Sequence, residues 1–158
     1  PIDAWGLYFS HRKVQRRRPL KTVAPTREGL SRLSMLPKDT PIVMVNLLRF
    51  RDKALYPQGS CFDDCTGRQA YRRYMDTAVE ILSEVGAKPI WMSKALAGII
   101  APSDEQWDQV LLVRYPSVDA FMTMIKKPDY LAATVHREAA LEDSRLIATI
   151  EILTELGL

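Results

Sequence analysis

The chain has 158 residues, of which 47% are hydrophobic and 26% are charged, a composition typical of one soluble globular domain. No apolar run approaches the roughly 20 residues of a membrane-spanning helix, and the first residues lack the pattern of a signal peptide. The two cysteines, Cys61 and Cys65, are too few for a disulfide framework. We therefore expect a cytoplasmic protein without a membrane partner.

The net charge of +3 is unevenly distributed. Residues 1–24 hold six of the 22 basic residues and one of the 19 acidic ones, so they carry +5 and the remainder carries −2. The basic stretch "HRKVQRRR" is compatible with nucleic-acid binding, but no interleaved aromatic residues support it. We interpret residues 1–24 as a solvated basic extension and residues 25–158 as a single domain, and do not expect nucleic acid as a partner.

The first half of this domain predicts a helix, a strand and a second helix. Thr26 is a favoured N-cap for the first helix. Residues 41–50, "PIVMVNLLRF", are apolar on both faces and predict a central strand. Thr66 and Gln69 form a capping-box pattern that opens the second helix, and Gly86 ends it.

The second half predicts two strands, helical segments and a last strand. The patterns of residues 88–101 and 107–115 predict two strands that pair as a hairpin. Ser117 is positioned to cap a short helix, and a further helix runs from about 129 to 141. Residues 144–153, "SRLIATIEIL", predict the final strand.

This order, β-α-β-β-α-β after a short helix, predicts the α+β ferredoxin-like plan with a four-stranded antiparallel sheet. Helices cover one face of such a sheet, so the other face should be polar in a monomer. The central strand instead places Val43, Val45 and Leu47 on one face and Met44 and Leu48 on the other. We therefore expect a homodimer in which two sheets pack face to face.

Three stretches resemble the longer members of the DUF1330 family, a domain of unknown function. They are "PIVMVNLLRFRDKALYP", "RQAYRRYM" and "WDQVLLVRYPSVDAFMTMIKKPDYLAATVHREAALEDSRLIAT". The resemblance covers roughly Thr26 to Ile152 and implies a dimeric α/β barrel. It implies no reaction. The wider superfamily includes cofactor-independent monooxygenases, muconolactone-type isomerases and polyketide cyclases, a fold analogy that is weak evidence of function.

His136 is the first candidate catalytic residue. Projection at 100° per residue places it on the same side of its helix as several alanines, with Thr134 and Arg137 on the opposite side, which predicts that His136 faces inward. An imidazole in such a pocket is suited to general acid or base catalysis, and Asp108 is a candidate to orient it. The alternatives are a buried structural histidine and an Asp108 that pairs with Arg114 or Arg49 or ends the hairpin.

Five further residues are candidates for substrate binding. Asn46 interrupts an apolar strand, and its amide must bond either a ligand or a neighbouring strand. Arg137 is able to bind an anionic group in bidentate fashion, or to form an ordinary surface ion pair. Tyr71, Tyr74 and Trp91 either line an aromatic pocket or belong to the core.

The pair Cys61 and Cys65 lacks the second close pair of ligands usual in zinc sites, so we predict no metal. The absence of glycine-rich nucleotide motifs gives no reason to expect a cofactor. The favoured hypothesis is a cofactor-independent enzyme acting on a small apolar or carbonyl-bearing molecule. The alternatives are a non-catalytic binding protein and a purely structural dimer. The long loop 51–65 is a candidate lid.

Overall fold

The computed structural model describes residues 21–62 and 64–152. Within them, four helices and four strands follow one another along the chain. Their bounds are α1 (Arg27–Ser34), β1 (Ile42–Phe50), α2 (Gly67–Glu84), β2 (Lys88–Lys94), β3 (Gln109–Tyr115), α3 (Val118–Met124), α4 (Pro128–Ala140) and β4 (Leu141–Thr149).

The four strands form one antiparallel sheet in the order β2-β3-β1-β4. This is the strand order of the ferredoxin-like split βαβ plan, so the predicted fold class is confirmed. β1 is a central strand, paired to β3 on one side and to β4 on the other. Its all-apolar character follows from this position.

The helix ends follow the predicted caps. The side chains of Thr26 and Ser117 accept bonds from backbone N–H groups three residues later. Thr66 and Gln69 form a complete capping box at the start of α2. Gly86 follows the end of α2 with a φ of 73°, a left-handed conformation in which a side chain would be strained.

Two predicted strand boundaries are wrong. β2 ends at Lys94 rather than near residue 101, because its partner β3 begins at Gln109, the residue opposite Lys94. One further backbone hydrogen bond, from the N–H of Ala95 to the carbonyl of Asp108, follows before the chain continues as a loop. β4 begins at Leu141, directly after α4, and its pairing with β1 starts there opposite Phe50.

The sheet has one face covered by helices and one open face. On the covered face, two apolar clusters pack between the sheet and the helices. On the open face, one row of directly paired residues crosses all four strands: Trp91, Leu112, Val45 and Ile147. Trp91 is 59% exposed and Ile147 is 50% exposed.

The last residues of the predicted basic extension lie along the outer edge of β4. The backbone N–H of Ser144 donates to the carbonyl of Thr22, and the Thr22 hydroxyl donates to the carbonyl of Ser144. Residues 1–20, which hold most of the positive charge, lie outside the described residues. No helix among the described residues is long and apolar enough to cross a membrane.

Candidate functional site

A cavity of about 510 Å³ lies between the covered face of the sheet and the helices α1, α2 and α4. Met44, Asn46 and Leu111 form part of its floor on the sheet. Segment 22–26 closes one side. Small side chains such as Ala78 on α2 and Ala148 on β4 face this space, which leaves it unfilled.

One stripe of α4 faces this cavity. Tyr130, Thr134 and Arg137 all belong to the lining, and the spacing i, i+4, i+7 places them on one face of the helix. The sequence projection had assigned Thr134 and Arg137 to the opposite, outward side. That orientation is wrong, because the cavity is lined by the polar stripe, whereas the alanines contact α2.

The alanines of α4 serve close helix packing. Ala133 and Ala140 are buried in one cluster with Ala70 and Ala78 of α2. Small residues on both helices let the two backbones approach closely. Of the two explanations for an alanine-rich face, a close contact between helices or space for a ligand, the structure supports the first.

His136 lies against the loop 51–65 and is not among the lining residues of the cavity. The Tyr56 hydroxyl lies 2.8 Å from Nδ1 of His136 and is placed to donate to it. The ring of Phe62 meets the imidazole edge-on with centroids 4.6 Å apart. The predicted position of His136 on the pocket wall is therefore wrong. Its contacts are those of a histidine that holds the loop.

The pKa of His136 lies below its ordinary value. Burial is the larger cause, since it disfavours the imidazolium, and the positive charge of Arg73 acts in the same direction. A neutral ring retains Nδ1 as an acceptor for the Tyr56 hydroxyl. The lowered pKa of His136 therefore favours the neutral ring that accepts the hydrogen bond from Tyr56.

Asp108 does not contact His136. One carboxylate oxygen accepts the backbone N–H of Phe50 at 2.8 Å, and the other accepts a bond from Arg68 at 3.3 Å. It therefore links the start of β3 to the end of β1, and its arginine partner is Arg68 rather than the predicted Arg114 or Arg49. Trp91 is also separate from the cavity, because it lies on the open face of the sheet opposite Leu112.

Asn46 is the polar group in the cavity floor. Its amide nitrogen donates to the carbonyl of Leu111 at 3.2 Å, with a longer contact of 3.4 Å to that of Met44. The structural bond that the sequence left open is therefore present. The amide oxygen of Asn46 has no partner among the described residues, so it remains an acceptor for a ligand.

Tyr71 and Tyr74 are two of the four tyrosines that line the cavity. Burial raises the pKa of Tyr71 to about 12, an effect that the charge of Arg137 partly opposes. Burial also raises the pKa of Tyr74, whose hydroxyl donates to that of Tyr130 at 3.3 Å. Both phenols are therefore protonated at neutral pH and act as hydrogen-bond donors rather than as bases.

Arg137 is one of two partly buried cations of the lining. Its guanidinium donates to the backbone carbonyl of Val23 and, at 3.3 Å, to the hydroxyl of Ser144. Both acceptors are neutral. Arg145, by contrast, pairs with the carboxylate of Asp143 at 2.6 Å.

Four contributors to the site were not recognised in the sequence: Thr22, Val23, Tyr130 and Ser144. Ser144 lacked the signal that identified Asn46, because its sequence neighbours Asp143 and Arg145 are charged. Tyr130 begins the stripe of α4 that ends at Arg137. The contacts of residues 22 and 23 could not be predicted from the sequence, because their backbone carbonyls make them.

The described residues contain no cluster of three or more histidine, cysteine or acidic side chains that would hold a metal ion. Cys61 is exposed and Cys65 is partly buried, and both are free thiols. The chemistry that the lining offers is therefore apolar contact combined with hydrogen-bond donors and acceptors, two guanidinium groups and one carboxylate at the rim.

The chain belongs to the DUF1330 family, a domain of unknown function that matches residues 62–150. A crystal structure of a protein of unknown function from Rhodopseudomonas palustris is 38% identical, with a TM-score of 0.76 over 84% of this chain and 98% of that chain. The crystal structure of that protein in methylated form is also 38% identical, with a TM-score of 0.77 over 83% and 95%.

A dimeric protein of unknown function with a ferredoxin-like fold, from Bacteroides fragilis, is 11% identical. Its TM-score is 0.46, over 73% of this chain and 100% of that chain. No functionally curated protein matches the chain.

Proposed function

We propose that this protein binds a small, largely apolar molecule in the cavity between its sheet and its helices. The observation that carries the proposal is the cavity itself, about 510 Å³ and lined mainly by apolar side chains with a few polar groups. Ligand sites commonly measure roughly 300–1,000 Å³ and combine these two features. Asn46, Tyr71 and Arg137, three of the predicted binding residues, lie together in this lining.

Binding fits the geometry better than proton-transfer catalysis. The raised pKa values of Tyr71 and Tyr74 make both phenols poor bases, and the carboxylate in the lining, Glu138, is exposed at the rim. His136 is not among the lining residues. A cofactor-independent enzyme, the hypothesis from sequence, is therefore the weaker proposal, and a non-catalytic binding protein is the stronger one.

Titration with Nile red, a neutral dye that fluoresces in apolar surroundings, tests this function. We expect saturable binding to the wild type. Ala148→Phe places a ring in the cavity from β4 and should weaken binding by about tenfold or more, on the scale of 1.4 kcal/mol per factor of ten. The matched control is Ser83→Phe, which adds the same ring at an exposed position of α2. Equal binding by all three proteins, or none by the wild type, contradicts the proposal.

We also propose a homodimer formed through the open face of the sheet, which closes the barrel. The support is the row Trp91, Leu112, Val45 and Ile147, an apolar line across the whole sheet with half-exposed ends. A two-fold axis over Val45 would pack this row against its copy. Apolar faces of this extent are uncommon on monomers.

Sedimentation equilibrium tests the dimer. We expect a dimer at micromolar concentration for the wild type and a monomer for Val45→Glu, because a carboxylate in the centre of the row would be desolvated without a partner. Ser83→Glu adds the same charge outside the row and should remain dimeric. A wild type that sediments as a monomer contradicts this proposal and leaves the cavity proposal intact.

A further inference from the structure

We infer that the ligand of the cavity is an apolar carboxylate, whose carboxylate group is bound by the guanidinium of Arg137 and the hydroxyl of Tyr71. This inference rests on the binding function proposed above and specifies its ligand class. The two side chains come from different helices, Tyr71 from α2 and Arg137 from α4, and both line the same cavity.

The charge of Arg137 is not neutralised within residues 21–62 and 64–152. No carboxylate of this part of the chain lies within ion-pair distance of it, whereas the neighbouring Arg49 and Arg145 pair with Glu142 and Asp143. A partly buried cation bonded only to neutral acceptors has lost water without gaining a counterion, which is unfavourable. An anion in the cavity would supply that counterion.

The geometry of the donors favours a carboxylate. A guanidinium has five N–H donors in a planar fork, and the described bonds of Arg137 go to two acceptors, Val23 and Ser144. The remaining donors match the two oxygens of a carboxylate. Tyr71, a protonated phenol at neutral pH, lines the same cavity and offers a further donor.

The rest of the lining fits a hydrocarbon tail. Apolar side chains, among them Leu82 and Val113, belong to the same lining. A phosphate dianion would call for more positive charge, and in the described lining Arg145 is already paired to Asp143. A singly charged carboxylate balances the single unpaired guanidinium.

Displacement of Nile red by hexanoate, octanoate and decanoate, each beside its primary amide, tests the inference. Charge-assisted hydrogen bonds are roughly twice as strong as neutral ones, so we expect an acid to bind about tenfold more tightly than its amide. Arg137→Met should remove this preference by weakening the acid, with the amide changed by less than about threefold. Arg137→Lys should restore part of the preference, because lysine keeps the charge and loses the fork.

Tyr71→Phe gives a second measure that leaves the guanidinium in place. It should weaken the acid by about threefold to tenfold, the usual effect of one hydrogen bond. Arg72→Met, which removes a charge from the exposed side of α2, is the control and should leave the preference unchanged. Circular dichroism confirms that each variant is folded.

The outcomes separate this inference from the proposed function. Amides that bind as tightly as acids, acids that fail to displace bound Nile red, or an acid preference that persists in Arg137→Met would each overturn the carboxylate inference while the cavity still binds the dye. A wild type that binds neither dye nor acid overturns both.

Discussion

Gly67, the first residue of α2, lies where three backbone segments meet. Its N–H donates to the carbonyl of Arg51, and the N–H of Arg51 donates to the carbonyl of Ala140 at the end of α4. A Cβ atom at position 67 would lie 2.4 Å from each of these carbonyl oxygens and 2.8 Å from the Arg51 nitrogen. The loop 51–65 therefore leaves and rejoins the fold through a junction that has no room for a side chain.

The cost of Gly67→Ala follows from these distances. Each carbonyl would have to retreat by about 0.6 Å, from 2.4 Å to the 3.0 Å below which Cβ contacts are essentially absent. The obstructing atoms are backbone, so rotation of a side chain gives no relief. Overpacking of this kind costs about 1–3 kcal/mol, and the two strained hydrogen bonds add about 1 kcal/mol each. Alanine offsets about 1 kcal/mol through its helix propensity.

We therefore expect Gly67→Ala to lower the free energy of unfolding by about 3 kcal/mol. For a chain of this size that corresponds to a melting temperature about 6–12 °C lower. The measurement is urea and thermal unfolding followed by circular dichroism, at one protein concentration because dimerisation would couple to stability. Arg72→Ala, at an exposed position of the same helix, is the control. A Gly67→Ala variant as stable as the wild type, or more stable, would refute the packing argument.

Three smaller perturbations test the loop and the wall of the cavity. Tyr56→Phe removes the hydroxyl that bonds His136 and should cost about 1 kcal/mol, with faster hydrogen exchange confined to the loop 51–65; unchanged exchange there would contradict the anchoring role. The pKa of folded His136 is lowered, so the unfolded chain binds more protons just below pH 6.5. The contribution of His136 to the free energy of unfolding should be fully present above that pH and lost as the pH falls. His136→Asn should therefore show a smaller loss of unfolding free energy between pH 7.5 and 5.5. Ser144→Ala removes the hydroxyl that donates to the carbonyl of Thr22 at 3.0 Å and should cost about 1 kcal/mol, with faster exchange of residues 21–25; a variant with unchanged exchange there would show that the hydroxyl does not hold this segment.

The elements could be predicted from the sequence because their signals are local. Thr26, Thr66 and Ser117 each accept a hydrogen bond from a backbone N–H three residues later. A few neighbouring residues therefore determine the start of each of these helices. The end of β2 is not local. It depends on where β3 begins, because the last paired residue of β2, Lys94, lies opposite the first residue of β3, Gln109.

The candidate site was predicted only in part, for a related reason. Asn46 was identified because a polar residue in an apolar strand requires a partner wherever the strand lies. The orientation of α4 was not identified, because hydrophobic periodicity assumes that the polar stripe of a helix faces water. Here the polar stripe from Tyr130 to Arg137 faces a cavity, and the alanines face α2.

The same reversal explains why His136 gave a misleading signal. Its alanine neighbours made it look like an imidazole in an open pocket, whereas they mark where α2 and α4 approach closely. The lining holds four phenols, the amide of Asn46, two guanidinium groups and, at the exposed rim, the carboxylate of Glu138. Its hydrogen-bond donors, and a guanidinium of Arg137 without a counterion among the described residues, suit the binding of an oxygen or a negative charge. The arrangement therefore supports recognition of a ligand in the cavity and assigns His136 to the loop beside it.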